Sequence, residues 1–490
     1  MAIVIVGLGP SGLDRIDPVT RSIVADPGRE LILRTGQHPA AEQLSATRGF
    51  ATCDDLYEAY DEFDEVYAAI VDRVVEAARH SEVTYAVPGS PAVGERTVPM
   101  VVTAARAIGI EVSVASAPSF LDLAYVAVGI DPITHGAQIL DARDLPDPLP
   151  LHVPTFITQV DSPLSAGEVA ISLGRVLEGD AEIVVLDRLG DEDEVVAPMA
   201  LEDLARYRPG SRTTVYVARA DVGLLGLIAT NRILRRECPW DRDQTHHTLL
   251  SHLIEEAYET ADAIGRLPVA APEGDVDFGT YAEVEDELGD LLLQVVFHAT
   301  LASETGAFDV DEVAEGIRRK LVRRHPHVFG DVTADSARDV LDNWERIKHG
   351  EKGRESLMDD VPVGMPGIAR AMKVQMRAAS VRFDWDAPGP VVDVLRSEID
   401  ELEAAVGDRQ RSSDELGDVL FTAVNLARHL DVDPEGALRA SVERFMDRFR
   451  VVEARFADDG RSVADADAVE LDAAWSAAKG TTMGPSGQST

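Results

Sequence analysis

Eight carboxylates fall into two sets of four with one shared spacing. Glu256 and Glu259 stand three residues apart, as do Glu287 and Asp290. The pattern returns with Glu398 and Glu401, then with Glu415 and Asp418. Residues three apart on a helix share a face, so each pair aims two carboxylates in one direction. A lone pair of this kind is most often a solvated helix face. Here Leu288, Leu291, Leu292 and Leu293 surround the Glu287 pair. If two such helices pack together, four carboxylates meet in a partly buried space. Unpaired anions held away from water call for a cation. An all-oxygen ligand set favours Mg²⁺ or Mn²⁺ over zinc, and carboxylate pairs from facing helices can build such a centre in a bundle.

Positive charge follows each set at helical spacing. Lys320 and Arg324 are one turn apart, as are Arg444 and Arg448; Trp344 precedes Lys348 by four residues, and Trp475 precedes Lys479 by four. Metals on phosphate oxygens, cations against the remaining charge and an indole on the nucleoside together suit a nucleoside polyphosphate. Taken singly, the tryptophans read equally as core packing, and the basic pairs as solvated faces or ion pairs with neighbouring glutamates.

The elements that position these groups repeat as well. DELGDLLLQVVFHATLA from Asp286 returns as DELGDVLFTAVNLARHL from Asp414, and LIEEAYETADAI (253–264) as LRSEIDELEAAV (395–406). IRRKLVRRHPHVFG (317–330) parallels SVERFMDRFRVVEA (441–454), and DNWERIK (342–348) parallels AAWSAAK (473–479). Four blocks in one order mean two copies of one amphipathic helical module, expected over 230–350 and 365–480, with a disordered tail at 481–490. Before residue 225 the texture differs. IVIVG (3–7), TYAVPG (84–89), EVSVA (111–115), EIVVL (182–186) and TTVYVA (213–218) read as strands alternating with helices, the pattern of an α/β domain. Subdomains are expected near 1–115 and 116–225, and the proline-rich DARDLPDPLPLHVP (141–154) reads as a linker.

Composition narrows the function classes. A net charge of −41 over 490 residues repels nucleic acid and anionic lipid, so neither is an expected partner. No apolar run reaches the length of a membrane span, and the start MAIVIVGLGP reads as a buried strand and not a signal peptide. With Cys53 and Cys238 alone there is no disulfide framework and no zinc knuckle, and a cytoplasmic setting is expected.

CPWDRDQTHHTL (238–249), the EExxE of Glu255, Glu256 and Glu259, the ELGD from Glu287 and RRHPHVFG (323–330) resemble the MazG family of nucleoside-triphosphate pyrophosphohydrolases. The likeness spans roughly residues 230–480. It implies an all-α fold that forms a homodimer, Mg²⁺ on the EExxE and ExxD carboxylates, and cleavage between the α- and β-phosphates. A metal-activated water then attacks the α-phosphorus, and Glu255 or Glu256 is a candidate for taking its proton. The second copy departs at Ser397, where the first glutamate of EExxE would stand, and has a shorter loop between its acidic pairs. It keeps the four ligands and the fuller cation set, and is expected to be the better catalyst.

VGLGPSGLDRI (6–16), VPGSPAVGERTV (87–98), SAPSFLDLAYVAVGIDP (116–132) and YVARADVG (216–223) resemble the tetrapyrrole methylases. That likeness implies S-adenosylmethionine between two α/β subdomains, at Gly7, Gly9 and Pro10 and at Gly89, Ser90 and Pro91. Ser11 stands where the family usually has a further glycine. A second, methyltransferase activity is the alternative reading of the chain.

Overall fold

The computed structural model describes residues 2–268, 270–333, 336, 340, 356–359 and 361–481. The chain divides into two compact units, Met1–Ser251 with Leu292–Thr305, and His252–Leu291 with Gly306–Thr490.

The first unit holds two sheets. Strands β1 (Ala2–Gly7), β2 (Glu30–Leu33), β3 (Ala51–Thr52), β4 (Val83–Val87) and β5 (Glu111–Val114) form one sheet in the order β3-β2-β4-β1-β5. Every pairing in it is parallel. A parallel sheet is covered on both faces, so its central strands are apolar almost throughout. Ile3 and Ile5 turn to one face with Tyr85 and Val87, under helices Phe63–Ala77 and Thr97–Ala107. Val6, Leu31, Leu33 and Ala86 turn to the other, against helices Pro18–Ala25 and Pro39–Ser45.

The second sheet contains β6 (Gln138–Asp141), β7 (Thr155–Thr158), β8 (Glu182–Asp187), β9 (Val195–Ala200) and β10 (Thr214–Val217), ordered β6-β7-β10-β8-β9. Only β6 and β7 pair in parallel; the rest are antiparallel. One face buries Ile157, Val185 and Val215 against Ala166, Val169 and Leu173 of helix Pro163–Leu173. On the other face Phe156 packs edge-on to Tyr125, with ring centroids 5.3 Å apart, and 5.0 Å from Tyr216.

The segment 141–154 is not a linker. It runs between the neighbouring strands β6 and β7, and Ala142 and Leu151 are buried in the core of their lobe. Its prolines keep the crossover out of the ladder, because proline has no N–H to donate, while Leu149 and Leu151 reach the core.

The second unit is helical. Helices Pro388–Ala404 and Arg409–His429 form an antiparallel hairpin whose turn holds Gly407 at φ +106°. Asp408 caps the return helix by accepting from Gln410 N and Arg411 N. Helix Gly367–Ala379 is tied to it by Gln375, whose Nε2 donates to Phe421 O at 2.8 Å. Helix Pro434–Asp458 buries Val452 and Phe456 against Ala474 and Ala478 of helix Ala468–Thr481. In the first copy, helices Leu250–Arg266 and Phe278–Glu304 carry the acidic pairs, and helix Val310–Arg324 begins with a capping box of Asp309 and Glu312. Among the described residues no helix is long and apolar enough to cross a membrane.

Candidate metal centres

The acidic pairs come together in both copies. In the first, a hydroxyl–carbonyl hydrogen bond from Thr260 Oγ1 to Glu287 O (3.0 Å) fixes the second helix against the first, and Arg266 pairs with Glu283 at 2.6 Å. This register brings carboxylate oxygens of Glu256, Glu287 and Asp290 within 4.8 Å of one another. In the second, the hairpin brings Glu398, Glu401 and Glu415 within the same limit. Each expected quartet is therefore a tight triplet with a fourth carboxylate beside it, Glu259 or Asp418.

The fourth members still act on the triplets. Glu256 is held above the usual carboxylate range by desolvation, by the charges of Asp290 and Glu259, and by a side-chain hydrogen bond with Glu259. Glu287 is raised by desolvation and by Glu259, Asp286 and Asp290, with Arg266 opposing. Glu398 is raised by desolvation and by Glu401, Asp418 and Glu415. Each copy thus concentrates like charge that resists full ionisation, a setting that a divalent cation relieves. Oxygen-only donors at this density fit Mg²⁺ or Mn²⁺.

Burial differs from the expectation. Glu256, Glu287, Glu398 and Glu415 are half-buried, and Glu255, Glu259, Asp290, Glu401 and Asp418 are exposed. Leu288 and Leu292, read as walls of the site, are 47% and 41% exposed. Helix Phe278–Glu304 instead buries Val284, Val296 and Phe297. A run of leucines next to an acidic pair covers more than one helix face, so it cannot by itself place that pair indoors.

Two neighbours, Arg411 and Arg266, escaped the sequence reading, and a third, Ser397, was read only as a departure from the motif. Arg411 Nε lies 3.7 Å from Glu415, one helical turn away. The i,i+4 spacing was a visible signal for it. Ser397, which replaces the first glutamate of EExxE, donates from Oγ to Glu401 Oε1 at 3.3 Å and so orients a member of the triplet. Arg266 reaches the neighbouring helix, which no local spacing reveals.

The cationic residues belong to neither triplet. Lys320 is exposed on helix Val310–Arg324, and Arg324 is half-buried one turn on. Arg444 Nη2 donates to Ser441 Oγ at 2.6 Å, and Arg448 is half-buried on the same helix. Trp475 and Lys479 do come together, with Nζ 5.9 Å from the ring centroid. The indole also packs on Phe445 at 4.9 Å. Trp344 and Lys348 lie outside the described residues. In the first unit the six glycine-turn residues assemble at the ends of β1 and β4, where Gly9 and Gly89 form an antiparallel bridge.

The family described as the MazG nucleotide pyrophosphohydrolase domain matches residues 244–329, and that of the tetrapyrrole (corrin/porphyrin) methylases matches residues 2–205. The chain is 36% identical over 495 residues to the uncharacterized protein YabN of Bacillus subtilis, covering 98% of each. It is 41% identical over 263 residues to a nucleoside triphosphate pyrophosphohydrolase of Escherichia coli, covering 52% of this chain and 95% of that one. It is also 41% identical over 245 residues to the nucleoside triphosphate pyrophosphohydrolase/pyrophosphatase MazG of Thermotoga maritima, covering 50% and 89%.

Crowded carboxylates make a direct prediction for stability. Mg²⁺ or Mn²⁺ raises the thermal midpoint of the wild type, with a stabilisation approaching roughly 2.7 kcal/mol per occupied site at a hundredfold excess over Kd. Glu287→Gln with Glu415→Gln abolishes that rise. In metal-free buffer the double variant is no less stable than the wild type, because each substitution removes one like charge. An equal rise in both proteins places the binding elsewhere.

Proposed function

The chain belongs to the MazG nucleotide pyrophosphohydrolase family, with a tetrapyrrole-methylase-like half ahead of the helical copies, and from that premise we propose how its carboxylates work. It hydrolyses nucleoside triphosphates to the monophosphate and pyrophosphate. The observation that carries the reading is that each copy draws three of its four matched carboxylates into a tight triplet.

Divalent Mg²⁺ or Mn²⁺, when bound, supplies the charge that polarises the triphosphate and lowers the pKa of the attacking water. The chain's own groups do the rest. Glu256, Glu287 and Asp290 in one copy, and Glu398, Glu401 and Glu415 in the other, would hold the ion. Water oxygen bonds to the α-phosphorus while the bond from that phosphorus to the α,β-bridging oxygen breaks, and the pair of electrons leaves with pyrophosphate. A carboxylate outside the triplet takes the proton of the water. Glu255, which faces His252 at 3.6 Å, and Glu259, which is hydrogen-bonded to Glu256, lie outside the triplet and are the candidates in the first copy. In the second, Ser397 cannot serve as a base at neutral pH, and Asp418 takes the role. Arg444, Arg448 and Lys479 offset charge on the leaving group, Trp475 packs on the nucleoside, and Lys320 and Arg324 are their counterparts in the first copy.

Both copies also carry one exposed apolar stripe. Leu288 and Leu292 are matched in the repeat by Leu416 and Leu420, 47% and 54% exposed. Two equal stripes on one polypeptide suit a second copy of the same chain, and the reading includes a homodimer. Its setting is the cytoplasm, where nucleoside triphosphates and Mg²⁺ meet.

Pyrophosphate release from a panel of nucleoside triphosphates with Mg²⁺ tests the chemistry. The wild type is active, Glu415→Gln loses about a hundredfold or more, and the double variant with Glu287→Gln is inactive, on the scale of losing a preorganised electrostatic contact. A wild type inactive on every nucleotide with either metal, or a fully active double variant, contradicts the assignment. Sedimentation equilibrium tests the assembly: the expected mass is twice the 52.9 kDa of one chain, and a single chain's mass at micromolar concentration excludes the dimer.

A further inference from the structure

In an α/β fold of this kind a ligand of the methyl-donor class would meet backbone N–H groups in the turns beyond the strand ends. Here the donors of Leu8, Gly9 and Gly89 are already engaged. Gly9 N–H donates to Gly89 O at 3.0 Å, Gly89 N–H donates to Gly9 O at 2.9 Å, and Leu8 N–H donates to Val87 O at 2.8 Å. The Gly9 carbonyl lies 3.1 Å from Nε2 of His38, a buried ring whose pKa desolvation pushes down to about 4. Neutral His38 therefore donates from Nε2 and accepts from Ala40 N at Nδ1, at 3.2 Å. A Cβ on Gly7 would overlap Gly89 O and stand 2.7 Å from both Pro91 Cδ and Ala117 Cβ. The space that this glycine leaves is filled by the protein itself. All of Gly7 to Gly12 is buried.

The second lobe closes over the same turn. Ser11, 4% exposed, has its Oγ within reach of Asp191 Oδ1 and 3.1 Å from Gly190 O. Arg212 pairs with the other oxygen of Asp191 and donates from Nη1 to Pro10 O at 3.2 Å. Gly190, at φ +89°, lies so near that a Cβ there would stand 3.3 Å from Ser11 Cβ. Desolvation opposes ionisation of Asp191, but the donors Arg212 and Ser11 outweigh it and hold the carboxyl below its usual range. The result is a charged, nearly enclosed bridge from one lobe to the other, hinged on a side chain that a glycine at position 11 would lack.

We propose that Ser11, Asp191 and Arg212 clamp the two lobes shut over the glycine turn, so that the methylase-like half does not take S-adenosylmethionine and serves as a fixed structural body. The residues present do not fit the cofactor: the Leu8, Gly9 and Gly89 donors are spent on backbone carbonyls, and the turn is buried against Gly190 and Asp191. This inference stands apart from the hydrolase chemistry.

Two measurements on the full chain decide it. Equilibrium dialysis against labelled S-adenosylmethionine shows no saturable binding up to about 1 mM, whereas stoichiometric binding at micromolar concentration overturns the closure. Asp191→Asn keeps the shape of the side chain and removes its charge, and Ser11→Gly removes the hydroxyl alone. Each lowers the midpoint of thermal unfolding by several degrees while pyrophosphate release per folded molecule is unchanged. A midpoint identical to the wild type in both variants overturns the clamp.

Discussion

Mutual repulsion among carboxylates is the constraint on which the helical half depends. Desolvation and neighbouring carboxylates hold Glu256, Glu287 and Glu398 above their usual range, and few cations stand nearby: Arg411 faces Glu415 from 3.7 Å, and Arg266 is paired with Glu283. The helices must be held together by contacts lying away from the charges. Thr260 bonding to Glu287 O, Gln375 bonding to Phe421 O and the capped turn at Asp408 supply that framework. With register set by contacts away from the triplets, the carboxylates are free to favour a cation over one another.

The two halves use polar groups in opposite ways. In the helical copies carboxylates crowd together with few cations beside them, which makes them suited to an ion. In the methylase-like half the polar groups at the strand ends are matched within the protein, from the Gly9–Gly89 bridge to Asp191 with Arg212. Fold and ligand separate here. A doubly wound sheet with a glycine turn is present, yet what the turn can bind depends on whether its donors are spare.

The helical copies were legible because period and repeat survive in a single sequence. The spacing of Glu398, Glu401, Glu415 and Asp418 announced a shared face, and the repeat of DELGD announced a second site. Which three of the four form the tight group depends on the packing angle between helices, which spacing does not encode. Leu288 and Leu292 misled for a related reason, since an apolar residue near a site need not line it. Strands β2, β3, β6, β7 and β9 went unread: ELIL and TFIT are short, and their partners lie far away in sequence. Ser397 looked like a loss, and only geometry shows it bonded to Glu401.

The central claim is that both triplets bind one kind of ion. A crystal structure of the full chain with Mn²⁺ and a non-hydrolysable nucleoside triphosphate, phased for anomalous scattering, tests it most directly. The account predicts anomalous peaks within coordination distance of carboxylate oxygens of Glu256, Glu287 and Asp290 and of Glu398, Glu401 and Glu415, with the phosphates on the same ions. Peaks remote from both triplets, or phosphates bound with no metal beside these carboxylates, would contradict it.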